Sequence, residues 1–566
     1  MFKKWAFVSH FIFNGVVLGV CLLASIPAHS YTLTQSGNGN FVRWSHGQKY
    51  FVSGNPNNQA GISQSGFWNA IVHGLQQWSY ATNKLFDFEY WQGTNSNIHS
   101  PSQKLDGLNS IFFASNSTAK VDRNVIGYTQ VWYSENGNLI EADIILNDRD
   151  FQLTDNPKDT SINGRGVYLN NVVTHELGHA IGLSHSSSIN SSMLFQEFSE
   201  QYKLGCDDLA AAKHLYPMNN DEVGSLDGTI LSPTNEPVSG AVVTAISSKR
   251  GIPIASVHTD QNGKFHFGAL EPGPYSITFE KYFGSESSIP PTYRAKQNHI
   301  CMGNQFPKNF VTEPDKHSLK KFIVSKNFLN DIGTYRIDCN GIEESTSYFE
   351  QNATNQFVDK SEPGSTKTYT FMANGPFRVT AIGYLLLSPV KVELSLLSNG
   401  QIITPRRGGP TYRSKISDFN SHDSSLSAEA YGPVTITATV TDNRHSYFPG
   451  DAKVGTENLF MVHIHDETEA RNGKFIPLNA RCNSNLNFPE YRSPPGNPIR
   501  NATTTTMRDQ VGFCGNANAG TLHGKKQTHS SPLPIDAGEL IGWFLPFLVA
   551  IVCRLYLKTL RAKMKE

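Results

Sequence analysis

The chain has 566 residues, a length that predicts three or four domains at roughly 100–200 residues each. Its 48 basic residues balance its 48 acidic residues, so the composition argues against binding to nucleic acid or to acidic polymers. Only 17% of the residues are charged, which is more typical of β-rich extracytoplasmic modules than of a helical cytosolic enzyme.

Residues 1–30 have the pattern of a secretory signal peptide. Two lysines precede an apolar run through Leu23, and Ala28 and Ser30 are the small residues expected before a cleavage site. We expect cleavage to leave Tyr31 as the mature N-terminus. A retained membrane anchor is the alternative.

The residues from Tyr31 to about Met218 predict one domain of mixed helices and strands. Apolar residues recur at helical spacing from Phe67 to Ala81, which predicts a helix that packs on a core rather than lining a binding groove. Asn136-Gly137 separates two alternating stretches and predicts a hairpin. The predicted strands are 41–44, 49–51, 86–91, 110–114, 125–133 and 139–147.

The sequence HELGHAIGLSH, from His175 to His185, has the spacing of a zinc site. His175 and His179 are four residues apart, so they share one face of a helix and can bind one ion. Gly182 can take the positive φ that ends a helix, and the returning chain brings His185 as a third ligand. Glu176 is placed to act on a metal-bound water. Three protein ligands leave the fourth position open, which indicates a catalytic site.

This motif, followed by Met193, resembles the signature of the metzincin metalloproteases, and Ser186 with Met193 favours the matrixin branch. The resemblance covers residues 31–218. It implies an α+β zincin fold, a catalytic Zn²⁺, and Glu176 as the general base in peptide hydrolysis. Met193 is then expected beneath the ligands as a structural Met-turn. Structural Ca²⁺ is also implied, without assigned ligands.

The stretch IGYTQVWY resembles the substrate-side edge strand of matrixins. We expect an extended peptide to add a strand to this edge, because main-chain pairing binds peptides with little sequence demand. The predicted substrate-edge residues are Ile126, Gly127, Tyr128 and Thr129. Residues 206–217 resemble the closing helix of the family, where two aspartates complement the helix N-terminus.

Two features depart from the family pattern. The cysteine-bearing propeptide of many matrix metalloproteinases is missing, so we expect no latency through such a cysteine bound to zinc. Met193 is followed by Leu194 and Phe195 instead of the usual Tyr-Pro, so the wall of the specificity pocket is expected to differ.

Residues 222–282 show short alternating strands at regular intervals, separated by Gly-Pro and Asn-Gly turns. This stretch resembles the carboxypeptidase regulatory-like, transthyretin-like β-sandwich. The resemblance implies a rigid spacer that supports the enzyme. Carbohydrate or protein binding is the alternative.

The next two regions are less specific. Residues 283–355 hold two cysteines and weak strand signals, and we treat them as a connecting region. Residues 356–470 alternate well enough to predict another β-sandwich, immunoglobulin-like in a loose sense. His463 and His465 alternate along one strand, where we expect a solvated face rather than a second metal site.

Residues 471–537 are rich in Pro, Asn, Thr, Gly and Ser, which predicts a flexible stalk. Residues 538–558 contain an apolar segment, and basic residues follow in 559–566. We predict a single transmembrane helix with a basic cytoplasmic tail. The same pattern resembles the sorting signals of bacterial surface proteins, and a buried terminal helix is a further alternative.

Five cysteines lie between the two apolar ends of the chain. An oxidising compartment favours disulfides, and an odd number leaves one thiol free or paired between chains. We expect Cys482 to pair with Cys514, and Cys301 to pair with either Cys339 or Cys206.

These patterns predict an α+β zincin (metzincin) catalytic domain, β-sandwich domains and a C-terminal single-pass membrane segment. The predicted function is that of a secreted, membrane-tethered zinc endopeptidase that acts on extracytoplasmic proteins or peptides and not on nucleic acid. The alternative is a cell-surface adhesion or ligand-binding protein whose metalloprotease-like domain is inactive or self-restricted.

Overall fold

The computed structural model describes most of residues 32–466 and two short segments beyond them. All of these residues belong to one unit, Met1–Leu522. The described ranges are 32–45, 49–53, 62–82, 89–93, 105–116, 120–156, 166–188, 191–195, 201–218, 222–282, 300–301, 307–313, 319–340, 356–383, 391–403, 407–409, 424–441, 458–466, 513–516 and 520–521.

The N-terminal domain combines a mixed sheet with helices. Its strands are β1 (Lys49–Ser53), β2 (Glu89–Gly93), β3 (Asn109–Phe113), β4 (Val125–Tyr133), β5 (Leu139–Leu146), β6 (Leu153–Thr154) and β7 (Val167–Tyr168). Its helices are α1 (Gln64–Ala81), α2 (Leu169–Ala180) and α3 (Cys206–Leu215). The sheet order is β2-β1-β3-β5-β4, and only β4 runs antiparallel to its neighbour.

Most predicted elements of this domain have counterparts in the structure. The predicted hairpin forms between β4 and β5, with Gly137 at φ 81° in the turn. Helix α1 buries Phe67, Ile71 and Trp78, as its spacing predicted, and the Trp78 indole N–H donates to the main-chain oxygen of Thr174 at 2.8 Å. The predicted strand 41–44 is wrong in extent, because it forms only isolated bridges.

Helix α2 ends where the sequence predicted. Gly182 has φ 101°, and a Cβ atom there would overlap the carbonyl oxygen of Val42, so the site needs glycine. Two side chains satisfy carbonyl groups at this helix end. The Trp44 indole N–H donates to Ala180 at 2.8 Å, and the Tyr216 hydroxyl donates to Ile181 at 2.6 Å.

The second module is a β-sandwich of two sheets. Its strands are β8 (Gly224–Leu231), β9 (Val242–Ser247), β10 (Ile252–His258), β11 (Lys264–Leu270), β12 (Gly273–Glu280), β13 (Asn309–Phe310), β14 (Phe322–Val324) and β15 (Leu329–Arg336). One sheet is β10-β9-β12-β13, with β14 also on β12, and the other is β11-β8-β15. The sandwich therefore continues past the predicted end at residue 282, and β13–β15 lie in the region that we had treated as a connection.

The second module packs directly on the N-terminal domain. One continuous hydrophobic core includes Leu177 and Leu215 from the first domain and Val257 and Phe267 from the second. Because the two modules share one core, the second module is more closely joined to the first than the predicted spacer would be.

In the residues that the structure describes, the third module forms one antiparallel sheet of strands β16 (Gln356–Lys360), β17 (Thr366–Ile382), β18 (Lys391–Ser398), β19 (Gln401–Ile402), β20 (Arg407–Gly409), β21 (Ser424–Thr441) and β22 (Leu459–Asp466). Its order is β16-β22-β17-β21-β18-β19, with β20 on β21. The predicted solvated face at His463 is wrong. This side chain is 1% exposed, because its ring packs against Gly251 of the second module.

Two further strands, β23 (Phe513–Asn516) and β24 (Gly520–Thr521), pair in parallel with the free edge of β4. They belong to the region that we predicted as a stalk. Its polar composition favoured a flexible chain, but an unpaired strand edge offers main-chain hydrogen bonds to almost any sequence.

A disulfide joins Cys301 and Cys339, which decides between the two predicted partners of Cys301. Cys206 is disulfide-bonded as well. Cys482 and the side chain of Cys514 lie outside the described residues, as do the predicted signal peptide 1–30, the segment 538–558 and the tail 559–566. None of the helices in the described part of the chain has the length and apolar character of a membrane span.

Candidate metal centre

Helix α2 and the turn after it bring three imidazoles together. His175 and His179 lie one turn apart on α2, and His185 follows the Gly182 turn. The three side chains are buried, and one ligand atom from each lies within 4.8 Å of the others. The structure thus assembles the three predicted ligands.

Hydrogen bonds fix which nitrogen of two of these rings faces the centre. Nδ1 of His175 lies 2.7 Å from the main-chain oxygen of Ser192, and Nδ1 of His179 lies 2.9 Å from that of Leu183. A carbonyl oxygen accepts only, so both Nδ1 atoms carry the proton. The two Nε2 atoms are then acceptors, and they lie 3.1 Å apart.

Two acceptor nitrogens at this distance cannot hydrogen-bond to each other. A shared cation explains the approach, because two nitrogens about 2.05 Å from a tetrahedral zinc ion lie about 3.3 Å apart. The residues present therefore fit a zinc ion.

The protonation states of the ligands agree with metal binding. Burial, with the charge of His185 as a second cause, lowers the pKa of His175 to about 3. Burial and the two neighbouring imidazoles hold the pKa of His179 well below its ordinary value. Neutral imidazole is the form that binds zinc, so at neutral pH His175 and His179 can bind the metal without first losing a proton.

Glu176 points from the same helix toward strand β4. The hydroxyl of Thr129 lies 2.6 Å from its Oε2 atom. A Cβ atom on Gly127 would lie 2.6 Å from its Oε1 atom and 2.7 Å from Cγ1 of Val172, so a larger residue here would displace one of these side chains. Two of the four predicted edge residues, Gly127 and Thr129, therefore lie beside this carboxylate. A third, Tyr128, interacts with it electrostatically.

Met193, the predicted Met-turn residue, lies against the ligand helix at Gly178. It is 1% exposed, and a Cβ atom on Gly178 would overlap its Sδ atom. The main-chain N–H of Ser186 donates to the carbonyl oxygen of Met193 at 2.7 Å. This bond fastens the turn at Met193 to the loop that carries His185.

Asp208 holds this turn from the other side. Its carboxylate accepts hydrogen bonds from the Ser191 hydroxyl at 2.5 Å and from the Ser192 main-chain N–H at 2.7 Å. It also accepts from the N–H of Gly205 at 2.6 Å, which is the predicted helix capping. The sequence predicted the cap but not the contact with the turn.

Asp207 links the site to the second module. Its Oδ2 atom accepts from the Ser186 hydroxyl at 2.6 Å, and its Oδ1 atom accepts from the main-chain N–H of Ser256 at 2.7 Å. Burial, with the charge of Asp208 as a second cause, raises the pKa of Asp207 to about 7. Paired aspartates were the only sequence signal for this contact.

The residues after Met193 also contact the second module. Leu194 and Phe195 are buried, and the Phe195 ring packs edge-on against Tyr282 with centroids 6.5 Å apart. The position where the sequence differs from the usual Tyr-Pro of the family is therefore a contact between the first and second modules.

Within the part of the chain that the structure describes, the three histidines are the one group of His, Cys, Asp or Glu side chains placed to share a metal ion. Structural Ca²⁺ stays a prediction without ligands.

Comparisons with known proteins agree with the geometry. Residues 43–217 match the family model of matrixin, and residues 225–294 match that of the carboxypeptidase regulatory-like domain. No curated protein matches the chain.

Similar solved structures include the TIE protein of Bacillus anthracis, at 12% identity over 43% of this chain and 32% of that chain, with a TM-score of 0.12. They also include the major pilin subunit BcpA of Bacillus cereus, at 13% identity over 40% and 61%, with a TM-score of 0.11. The major pilin SpaD of Corynebacterium diphtheriae matches at 13% identity over 40% and 59%, with a TM-score of 0.12.

The chain spans 32% of the first of these structures and 61% and 59% of the other two. At TM-scores this low, none of them supports an argument about fold or function. The family models do, and the chain therefore carries a matrixin domain of the metzincin metalloproteases at residues 43–217, followed by a carboxypeptidase regulatory-like domain at residues 225–294.

Proposed function

We propose that the protein is a zinc-dependent endopeptidase that hydrolyses extracytoplasmic proteins or peptides. One observation carries the proposal. The acceptor nitrogens of His175 and His179 lie 3.1 Å apart, beside the buried side chain of a third histidine. The carboxylate of Glu176, on the same helix, is oriented by a hydrogen bond from Thr129. This is the donor set of a catalytic zinc site together with a positioned base.

The chemistry follows from these groups. His175, His179 and His185 would hold the zinc ion, which supplies Lewis acidity for activating water and polarising the scissile carbonyl. Glu176 would accept the proton of the attacking water and later donate it to the leaving amine. Asp208 holds the turn at Met193, and the main chain of Met193 is bonded to the loop that carries His185.

The edge of β4 supports an extended polypeptide as substrate. A strand added along Ile126–Thr129 would bring its main chain past Gly127, which lies close to the Glu176 carboxylate. Main-chain pairing of this kind selects peptides over other polymers.

The location of the enzyme rests on sequence patterns. Residues 1–30 support secretion, and residues 538–558 with the basic residues after them support a membrane tether. In this proposal the catalytic domain faces the extracytoplasmic side.

The test is hydrolysis of a quenched-fluorescent peptide library by the full chain, at enzyme concentrations that detect slow turnover. Wild type, Glu176→Ala and His179→Ala are compared with and without a zinc chelator, and zinc content is measured in each. We expect Glu176→Ala to keep zinc and to lose about 10²–10⁴-fold in rate. His179→Ala should lose the metal. If wild type and Glu176→Ala both contain zinc and hydrolyse peptides at the same rate, the proposal is refuted and the adhesion alternative is favoured.

A further inference from the structure

The substrate edge of β4 is paired with another part of the same chain. On one side β4 pairs with β5, and on the other it pairs with β23 and then with β24. The edge therefore has main-chain partners along both halves of its length.

The register places this segment next to the general base. Gly515 lies opposite Tyr128 and Asn516 lies opposite Thr129, which bonds to Glu176. Farther along, Gly520 lies opposite Trp132 and Thr521 opposite Tyr133. The Cα atoms of β23 also come within 8 Å of those of α2, the helix that carries His175 and His179. Strand β23 is thus close to both the edge strand and the ligand helix.

One strand edge can pair with only one strand at a time. A peptide that binds along β4 needs the same N–H and C=O groups that β23 and β24 use. Because the segment is covalently tethered, it competes at an effective concentration that reaches the millimolar range for flexible tethers.

We propose that β23 and β24 occupy the substrate-binding edge of β4 and keep the enzyme self-inhibited until these strands are displaced. The proposal rests on the proposed peptidase function, and it assigns the regulation of that same site to main-chain pairing by the chain's own C-terminal region. A substrate with a long extended segment would be favoured, because it replaces pairing along the whole edge.

The test uses the full chain with prolines at two consecutive strand positions, Gly515→Pro/Asn516→Pro. In an extended strand, successive N–H groups point to opposite sides, so one of the two prolines removes a donor that faces β4 in either phase. The matched control is Gly515→Ala/Asn516→Ala, which keeps both N–H groups.

Two quantities are measured in each protein. The first is kcat/KM on a peptide cleaved by wild type, and we expect the proline variant to exceed the alanine variant by at least about tenfold. The second is amide hydrogen exchange of residues 125–133, measured in a Glu176→Ala background where no turnover occurs. We expect faster exchange in the proline variant only.

The outcomes separate the two proposals. Equal exchange of β4 in the proline and alanine variants overturns the occupancy of the edge, whatever the activity. Faster exchange with an unchanged and measurable kcat/KM overturns self-inhibition. If exchange rises but neither variant shows Glu176-dependent hydrolysis, the peptidase proposal fails, and with it the inhibitory role of the strand.

Discussion

The hydroxyl of Thr129 lies 2.6 Å from the Oε2 atom of Glu176 and 3.0 Å from the main-chain oxygen of the same residue. The hydroxyl has one proton, and the shorter contact assigns it to the carboxylate. Thr129 belongs to the edge strand, so a single side chain ties the substrate edge to the proposed general base.

We predict that Thr129→Val lowers kcat about tenfold or more while leaving KM and zinc content close to wild type. A hydrogen bond to a charged group contributes about 1.5–3 kcal/mol, and valine keeps the shape but not the donor. Steady-state kinetics on the peptide cleaved by wild type measures this effect. Thr129→Ser is the control and should retain most of the activity, and a valine variant with normal kcat would show that the bond does not position Glu176.

Gly178→Ala tests the packing between the ligand helix and Met193. In an exposed helix this change favours folding by about 1 kcal/mol. Here the added Cβ would overlap Sδ of Met193, so we expect a loss of about 1–3 kcal/mol and a lower thermal midpoint. Adding Met193→Ala should recover room, so the double variant should lose less than the sum of the single variants. Additive losses would mean that the two residues do not conflict.

His258 makes the stability of the two packed modules depend on pH. Burial lowers its pKa to about 4, while the unfolded chain has the ordinary value near 6.5. The depressed pKa contributes stability that is present above pH 6.5 and is lost as the pH falls toward 4, because the unfolded state binds the proton first. At pH 5 this group alone should cost about 2 kcal/mol relative to pH 8.

The measurement is the urea midpoint of wild type and His258→Gln at pH 8 and pH 5. Glutamine keeps a polar partner for Ser187, whose hydroxyl lies 3.0 Å from the imidazole, but it does not titrate. We expect a smaller pH-dependent shift in the variant. The same shift in both proteins would assign the pH dependence to other groups.

The disulfide between Cys301 and Cys339 should stabilise the second module. It closes a segment of 38 residues that includes β13–β15, and chain entropy predicts a contribution of about 4 kcal/mol for a loop of this size. Cys301→Ala/Cys339→Ala should therefore lower the thermal midpoint of the chain. A reductant applied to this variant is the control, since any further loss then comes from the bond at Cys206. An unchanged midpoint in the double variant would show that the loop is held by packing alone.

The parts of the site that the sequence predicted are those encoded by local spacing. His175 and His179 are one helical turn apart, and Gly182 needs a positive φ at a fixed distance from them. Helical geometry relates these positions without any knowledge of the rest of the fold. The hairpin at Gly137 was predictable for the same reason.

The contacts that were not predicted join residues far apart in sequence. Thr129 and Glu176 are 47 residues apart, and Asp207 and Ser256 are 49 residues apart. Alternation along a strand identifies two faces but not what covers each face, which is why His463 was expected in solvent. The polar composition around β23 likewise gave no sign of the edge with which it pairs.

The shared core of the first two modules limits how this enzyme can be divided. A protein cut after residue 217, where the match to the matrixin family ends, would open the shared core that contains Leu215 and would leave Asp207 without the N–H of Ser256. The smallest soluble form of the enzyme should therefore extend through β15 and Cys339. The second module completes the interior of the matrixin domain, so exchanging it for another module means redesigning a hydrophobic core rather than a linker.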